Sequence, residues 1–151
     1  MGTEDPAAFN HVGHCVTDTA RSRRFYEEAL GFTFLYDFTA PDDSTGPLLQ
    51  IPPPVGLTAT YLRLDGLILE LLHFDRAGNP TRVARVMNEP GLTHLSVSVD
   101  DVHATARKAI EHGGQIVEES DIGFALFIRD PDGQLLELIP TSFRARLPPK
   151  P

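Results

Sequence analysis

The chain contains a single cysteine, Cys15. No disulfide can form within it, and nothing implies an oxidising compartment. It also lacks any apolar run approaching the ~20 residues of a membrane-spanning helix. Cations are scarce: 13 Lys and Arg stand against 21 Asp and Glu, a formal net charge of −8. Such a surface repels phosphate backbones, so neither nucleic acid nor an anionic membrane is expected as a partner. The opening Met-Gly-Thr-Glu-Asp-Pro has no basic or apolar segment, and a cytoplasmic location is expected. No Gly-rich phosphate loop and no nucleophile elbow occurs. What is present is 151 residues, 41% hydrophobic and 23% charged. That suffices for one domain with its own apolar core.

The chain repeats itself. Residues 11–18, H-V-G-H-C-V-T-D, and 94–101, H-L-S-V-S-V-D-D, both open on His and close on Asp. A helical pattern follows each: Ser22, Phe25, Tyr26, Ala29 and Leu30 share one face, and Val102, Ala106, Ala109 and Ile110 share the other's. Gly31 and Gly113-Gly114 end these patterns, where a left-handed residue is needed. A second pair of segments also matches: 65–72, D-G-L-I-L-E-L-L, and 132–139, D-G-Q-L-L-E-L-I. Asp-Gly between strand-like runs marks a hairpin. Each half therefore reads strand, helix, strand, then a hairpin of two strands. The first half has strands near 9–17, 32–39, 57–64 and 67–74 with a helix at 19–30. The second has strands near 92–99, 115–119, 123–129 and 134–140 with a helix at 101–112. Module one spans about 9–75, a linker 76–91, module two about 92–141 and a loose tail 142–151. Residues 40–56 hold five of the 13 prolines and are expected to be irregular. Thr81 to Met87, after Asn79-Pro80, is expected to form one short helix.

Nine glutamates occur, and only Glu70 and Glu137 are embedded in apolar strands. A buried carboxylate must be paired, protonated or bound to a metal. Strand alternation places Gly13 and Cys15 with His11, and Ser96 and Ser98 with His94. These small residues leave room for a cavity. Val12, His14 and Val16, and Leu95, Val97 and Val99, line the opposite, helix-facing sides. Two His and two Glu at repeat-related positions suit one divalent ion (zinc, nickel, cobalt, manganese or iron), whose charge two carboxylates balance. The alternative is four separate residues, each His a satisfied core histidine and each Glu paired with an Arg. His14 reads as structural, His73 points away from the Glu70 face, and His103 and His112 read as solvated. Cys15 lies on the cavity side, where it either fills space or is reactive. Tyr36, Phe38, Tyr61, Phe124 and Phe127 are either pocket walls or ordinary core.

The segment H-V-G-H-C-V-T-D-T-A-R-S-R-R-F-Y-E-E-A-L-G-F, residues 11–32, resembles the opening of the vicinal oxygen chelate superfamily. The later G-L-T-H-L-S-V-S-V-D-D-V and D-P-D-G-Q-L-L-E-L-I resemble it equally, over about residues 9–141. Its members include glyoxalase I, methylmalonyl-CoA epimerase, extradiol dioxygenases, fosfomycin-resistance enzymes and bleomycin-binding proteins. The resemblance implies an α+β fold, two paired βαβββ modules forming an open cupped mixed sheet around one metal. It places the metal ligands at His11, Glu70, His94 and Glu137, the four the residues had already singled out. A dioxygenase would use His11, His94 and Glu137, and Glu70 would crowd its open positions; bleomycin-binding members lack the set. The implied function is therefore a divalent-metal-dependent epimerase or isomerase, or a glyoxalase-like lyase. It would move a proton α to a carbonyl through an enediolate, with Glu70 and Glu137 as the acid–base pair. The substrate would be small and oxygen-chelating: a keto-sugar or cyclitol, a 2-acyl thioester or a 2-oxo thiol adduct. An extradiol Fe(II) dioxygenase and a ligand-binding resistance protein are the alternatives. Glutathione-using members carry Arg four residues after the first ligand and Asn four after the first Glu; Cys15 and Phe74 stand there instead. A homodimer is expected.

Overall fold

A computed structural model describes residues 6–149. Met1 to Asp5 and the last two residues of the expected tail, Lys150 and Pro151, lie outside the described residues. The chain divides into two compact units. The architecture is α+β: two four-stranded mixed sheets with interspersed helices, as paired βαβββ modules require.

The first unit comprises, among the described residues, 6–16 and 33–78. Its strands are β1 (Val12–Cys15), β2 (Thr33–Thr39), β3 (Leu57–Leu64) and β4 (Leu67–Phe74), in the order β1-β4-β3-β2. β1 runs parallel to β4, and the rest are antiparallel. Leu62, Leu69 and Leu71 are wholly buried on one face. On the Glu70 face, Leu57, Phe74 and Val55 form a cluster with Ala40, Leu49, Ile51 and Leu72.

The expectation of an irregular 40–56 is corrected here, because Asp42–Leu49 is a helix, α2, with Pro47 inside it. A proline so placed removes one i→i−4 bond, and tertiary contacts make up for it. The Asp42 carboxylate accepts the backbone N–H groups of Val55 and Gly56, each at 3.1 Å. Those two bonds, with Arg76 nearby, hold its carboxyl below the ordinary aspartate value. Asp42→Ala is expected to open the 41–56 segment to limited proteolysis while the sheets persist. Unchanged cleavage rates at this segment would show that α2 stands without the tether.

The second unit comprises, among the described residues, 17–32 and 79–149. It contains α1 (Thr19–Arg24), which continues as a π-helical turn over Phe25–Ala29, and α3 (Val102–Glu111). Its strands β5 (Leu95–Val99), β6 (Gln115–Val117), β7 (Leu126–Arg129) and β8 (Leu135–Pro140) lie in the order β5-β8-β7-β6, with β5 parallel to β8. The Asp that closes each repeated segment is a helix cap: Asp18 accepts from the Arg21 N–H at 2.9 Å and Asp101 from that of Ala104 at 2.8 Å, as N-caps do. The apolar stripe of the first helix is buried throughout. In the second, Ile110 is the exception, 51% exposed.

The first helix packs with the second sheet. Tyr26 donates to the Asp130 carboxylate at 2.9 Å, and Arg21 and Ser22 reach Asp132. Gly114 permits a close approach, since a Cβ there would stand 2.6 Å from a Phe25 ring carbon.

The short helix expected at Thr81 to Met87 does not form. Val83 and Val86 are 81% and 67% exposed, so a helix would have no face to bury, and packing supplies most helical stability in proteins. The Arg85 guanidinium organises this stretch instead, donating to the carbonyls of Leu92, Glu89 and Pro90 at 2.8–3.0 Å. The tail expected to be loose begins as a 3₁₀ turn over Thr141–Arg146.

Candidate metal and acid–base site

The four residues singled out from the sequence fall into two pairs, one in each unit. In the first unit, His11 Nε2 lies 2.9 Å from Glu70 Oε2. Glu70 sits mid-strand in β4, with Gly13 and Tyr61 as its cross-strand neighbours. The Tyr61 hydroxyl donates to Glu70 Oε1 at 2.6 Å. Gly13 leaves the carboxylate room, since a Cβ there would stand 3.7 Å from Glu70 Oε2. The hydrogen bond to Glu70, then burial, pushes the Tyr61 hydroxyl up to about 12. It therefore stays a donor at neutral pH. Tyr36 stacks on Tyr61 at 4.6 Å.

In the second unit, His94 Nε2 lies 3.9 Å from Glu137 Oε2. Ser96, the repeat partner of Gly13, donates to Glu137 Oε2 at 2.6 Å. Phe127 occupies the place of Tyr61: it faces Glu137 across β7 and β8, and its ring meets His94 edge-on at 5.1 Å.

The residue before each His was missed by the sequence reading. Asn10 Oδ1 lies 2.6 Å from His11 Nδ1, and Thr93 Oγ1 lies 2.8 Å from His94 Nδ1. Tying one ring nitrogen to an oxygen fixes the imidazole and presents the other, which is how metal-binding histidines are oriented. The one sequence signal is faint: an oxygen-bearing side chain precedes the His in both copies of the repeat. The match of Tyr61 with Phe127 was hidden, because the second hairpin holds one more residue between its aromatic and its Glu.

Among the described residues neither Glu is paired with an Arg or Lys; its partners are a hydroxyl and an imidazole. The Glu–Arg pairing that the alternative expects is not found among the described residues. Imidazole nitrogens facing half-buried carboxylates, 13% and 29% exposed, form a donor set that fits a borderline divalent cation. The residues fit the group that the resemblance implies, in two half-sets. Among the described residues no three His, Cys, Asp or Glu gather closely enough to hold an ion by themselves.

The other candidates resolve as follows. His14 is buried and Cys15 is exposed. His103, read as solvated, binds Asp121 at 2.9 Å. Tyr36, Phe38 and Phe124 are about half exposed, and of the five aromatics only Tyr61 and Phe127 touch a His–Glu pair.

The fold and the paired His–Glu strands define a class. Residues 8–138 match the family model of the glyoxalase/bleomycin resistance protein/dioxygenase superfamily. The chain belongs to that superfamily. It is similar to a probable lactoylglutathione lyase of Synechocystis, with 35% identity over 57 residues. That match spans 34% of this chain and 44% of the relative, so under half of the curated relative is covered. Among solved structures, it resembles the trypanothione-dependent glyoxalase I of Leishmania major at 24% identity and TM-score 0.67, over 90% of this chain and 88% of that one. A glyoxalase family protein from Bacillus cereus superposes with TM-score 0.68 at 18% identity, over 91% and 96% of the two chains. These structural likenesses establish the fold. Among the described residues no helix is long and apolar enough to cross a membrane.

Proposed function

We propose that the protein is a metal-dependent enzyme of the glyoxalase-like lyase or isomerase type. It moves a proton on the carbon beside a carbonyl of a small substrate. His11, Glu70, His94 and Glu137 hold one divalent ion, and Glu70 and Glu137 exchange the proton. The observation that carries this reading is the duplicated His–Glu pair, with each Nδ1 tied back and, among the described residues, no Arg or Lys on either carboxylate. The lactoylglutathione lyase relative favours a 2-oxo thiol adduct among the substrate classes, and Cys15 and Phe74 argue for a thiol other than glutathione.

When bound, the ion would polarise the carbonyl and acidify the neighbouring C–H. The chain supplies the rest. Asn10 and Thr93 fix the two imidazoles. Both Glu70 oxygens are engaged, one by His11 and one by Tyr61, so it is the anchored carboxylate. Glu137 has Ser96 and the more distant His94 on Oε2, while its Oε1 carries no hydrogen bond or ion pair among the described residues. That oxygen is the basic atom available to take a proton.

Each unit provides two donors, and tight binding of a divalent ion needs both pairs. A homodimer is the assembly we assign to the working protein. Metal content per chain tests the centre. Purified without chelator, the protein is expected to hold close to one ion per chain, and Glu70→Gln to lose most of it. Full retention of iron in that variant would favour the ring-cleaving dioxygenase reading. No metal in either protein would leave a binding protein without this chemistry.

A further inference from the structure

A second feature of the second unit lies outside the His–Glu pair. The 82–93 stretch, the end of β7 and the start of β8 enclose an open cleft of about 420 Å³. On a chain of net charge −8, it is lined by Arg82, Arg85 and Arg129 and by no acidic residue. The three arginines are not equivalent. Arg85 is consumed by the three carbonyls described above and lies 3.7 Å from Glu89. Arg82 and Arg129 have no carboxylate partner among the described residues. Both approach Gly133. The Arg129 Nη1 donates to its carbonyl at 3.1 Å, and the Arg82 Nε would stand 3.4 Å from a Cβ built there. Two guanidinium groups thus flank one Asp-Gly turn, Arg82 near enough to act on the Tyr26 hydroxyl, beside the apolar side chains of Val83, Met87, Leu92 and Leu135.

We propose that this cleft is a binding site for a small organic anion, its carboxylate or phosphate held by Arg82 and Arg129 and its aliphatic part lying on Leu135 and Leu92. The volume suits a small ligand, since such pockets run about 300–1,000 Å³. Guanidinium forks are the side chains best matched to planar and tetrahedral oxyanions. Register connects the cleft to the chemistry. Leu135 pairs with Arg129 and Glu137 with Phe127, so Arg129 and Glu137 share a face of the sheet. They are two residues apart along the ladder, about 7 Å at strand rise. The anion is therefore the far end of the substrate, an acid whose charged group sits one pleat repeat from its reacting carbonyl; this assignment alone rests on the reading of Glu137 given above.

The test is an amide-shift NMR titration of the full chain with hexanoate, hexanamide and inorganic phosphate. It is run on the chelator-treated wild type and on Arg82→Gln, Arg129→Gln and Glu137→Gln. Hexanoate is expected to move the amides of Gly133 and Gln134. It should bind about tenfold or more tightly than hexanamide, and each Arg variant should weaken it by a similar factor. Phosphate competing with hexanoate would mean that the clamp takes either oxyanion; no competition would restrict it to carboxylates. Arg129→Gln also removes the bond to Gly133, so Arg82→Gln, which breaks no hydrogen bond found among the described residues, is the deciding variant. Equal binding of acid and amide, or unchanged affinity in Arg82→Gln, overturns the site. Glu137→Gln keeps the two readings apart, because its hexanoate binding and its proton exchange are measured separately. It should retain hexanoate binding even if the carboxylate proves to have no part in proton transfer, in which case the clamp stands and its assignment to that substrate falls.

Discussion

Glu137→Gln is expected to slow proton exchange at the carbon beside the carbonyl by about 10²–10⁴-fold, the range that positioned general bases contribute. Glutamine keeps the shape and can still accept the Ser96 hydroxyl bond. It loses the basic oxygen left open in the structure and the charge of one proposed metal donor, so exchange is read on metal-loaded protein. The measurement is wash-in of solvent deuterium into a hemithioacetal of methylglyoxal and a small thiol, followed by NMR, with metal content determined on the same sample. Loss of exchange with the metal retained places Glu137 at the proton. Exchange above a tenth of the wild-type rate in metal-loaded Glu137→Gln would remove it from that role. Glu70→Gln is expected to fail differently, through weakened metal binding, because both Glu70 oxygens are already engaged by His11 and Tyr61.

The largest effect on stability is expected at Asp130, which lies far in sequence from the helix it holds. The residue is 2% exposed. It accepts the Tyr26 hydroxyl at 2.9 Å and the backbone N–H groups of Asp132 and Gln134 at 2.9 and 2.7 Å. An orphaned buried donor costs roughly 1–3 kcal/mol, so Asp130→Ala is expected to lose about 3 kcal/mol or more in urea denaturation. Tyr26→Phe leaves both backbone bonds in place and is expected to lose about 1–2 kcal/mol. A pH dependence accompanies the dyad. Burial, then the Asp130 charge, raises the Tyr26 hydroxyl well above its ordinary value of 10.0. A group whose folded pKa is raised stabilises the fold fully below its unfolded pKa, and that stability falls as pH rises from there toward the folded value. The wild type should therefore lose stability as pH rises above about 10, and Tyr26→Phe should lose less over the same window. Parallel pH curves for the two proteins would show that the dyad does not contribute this stability.

Much of this was legible in the amino-acid order, for local reasons. The two His-to-Asp segments became strand-plus-cap in both halves because Asp18 and Asp101 stand where a helix must begin. The two Asp-Gly hairpins placed Glu70 and Glu137 mid-strand because a two-residue period leaves little freedom of register. The His–Glu partnership followed from those positions. Less legible was the side-chain wiring around it. Asn10 and Thr93 are unremarkable until the ring nitrogen beside them is located, and Tyr61 matters only through its cross-strand register with Glu70.

The sequence alone determined the α+β class, the duplicated βαβββ order and one His–Glu pair per half, since capping, hairpin turns and alternation act over a few residues. Tertiary structure decided three things that span longer distances. The first helix joins the second sheet, because an apolar stripe does not name its partner, whereas the Tyr26–Asp130 hydrogen bond does. A helix survives Pro47, because Asp42 is tied to backbone more than ten residues away. And Arg82 and Arg129 meet at one turn in an acidic protein, because chain folding brings together charges that composition only counts.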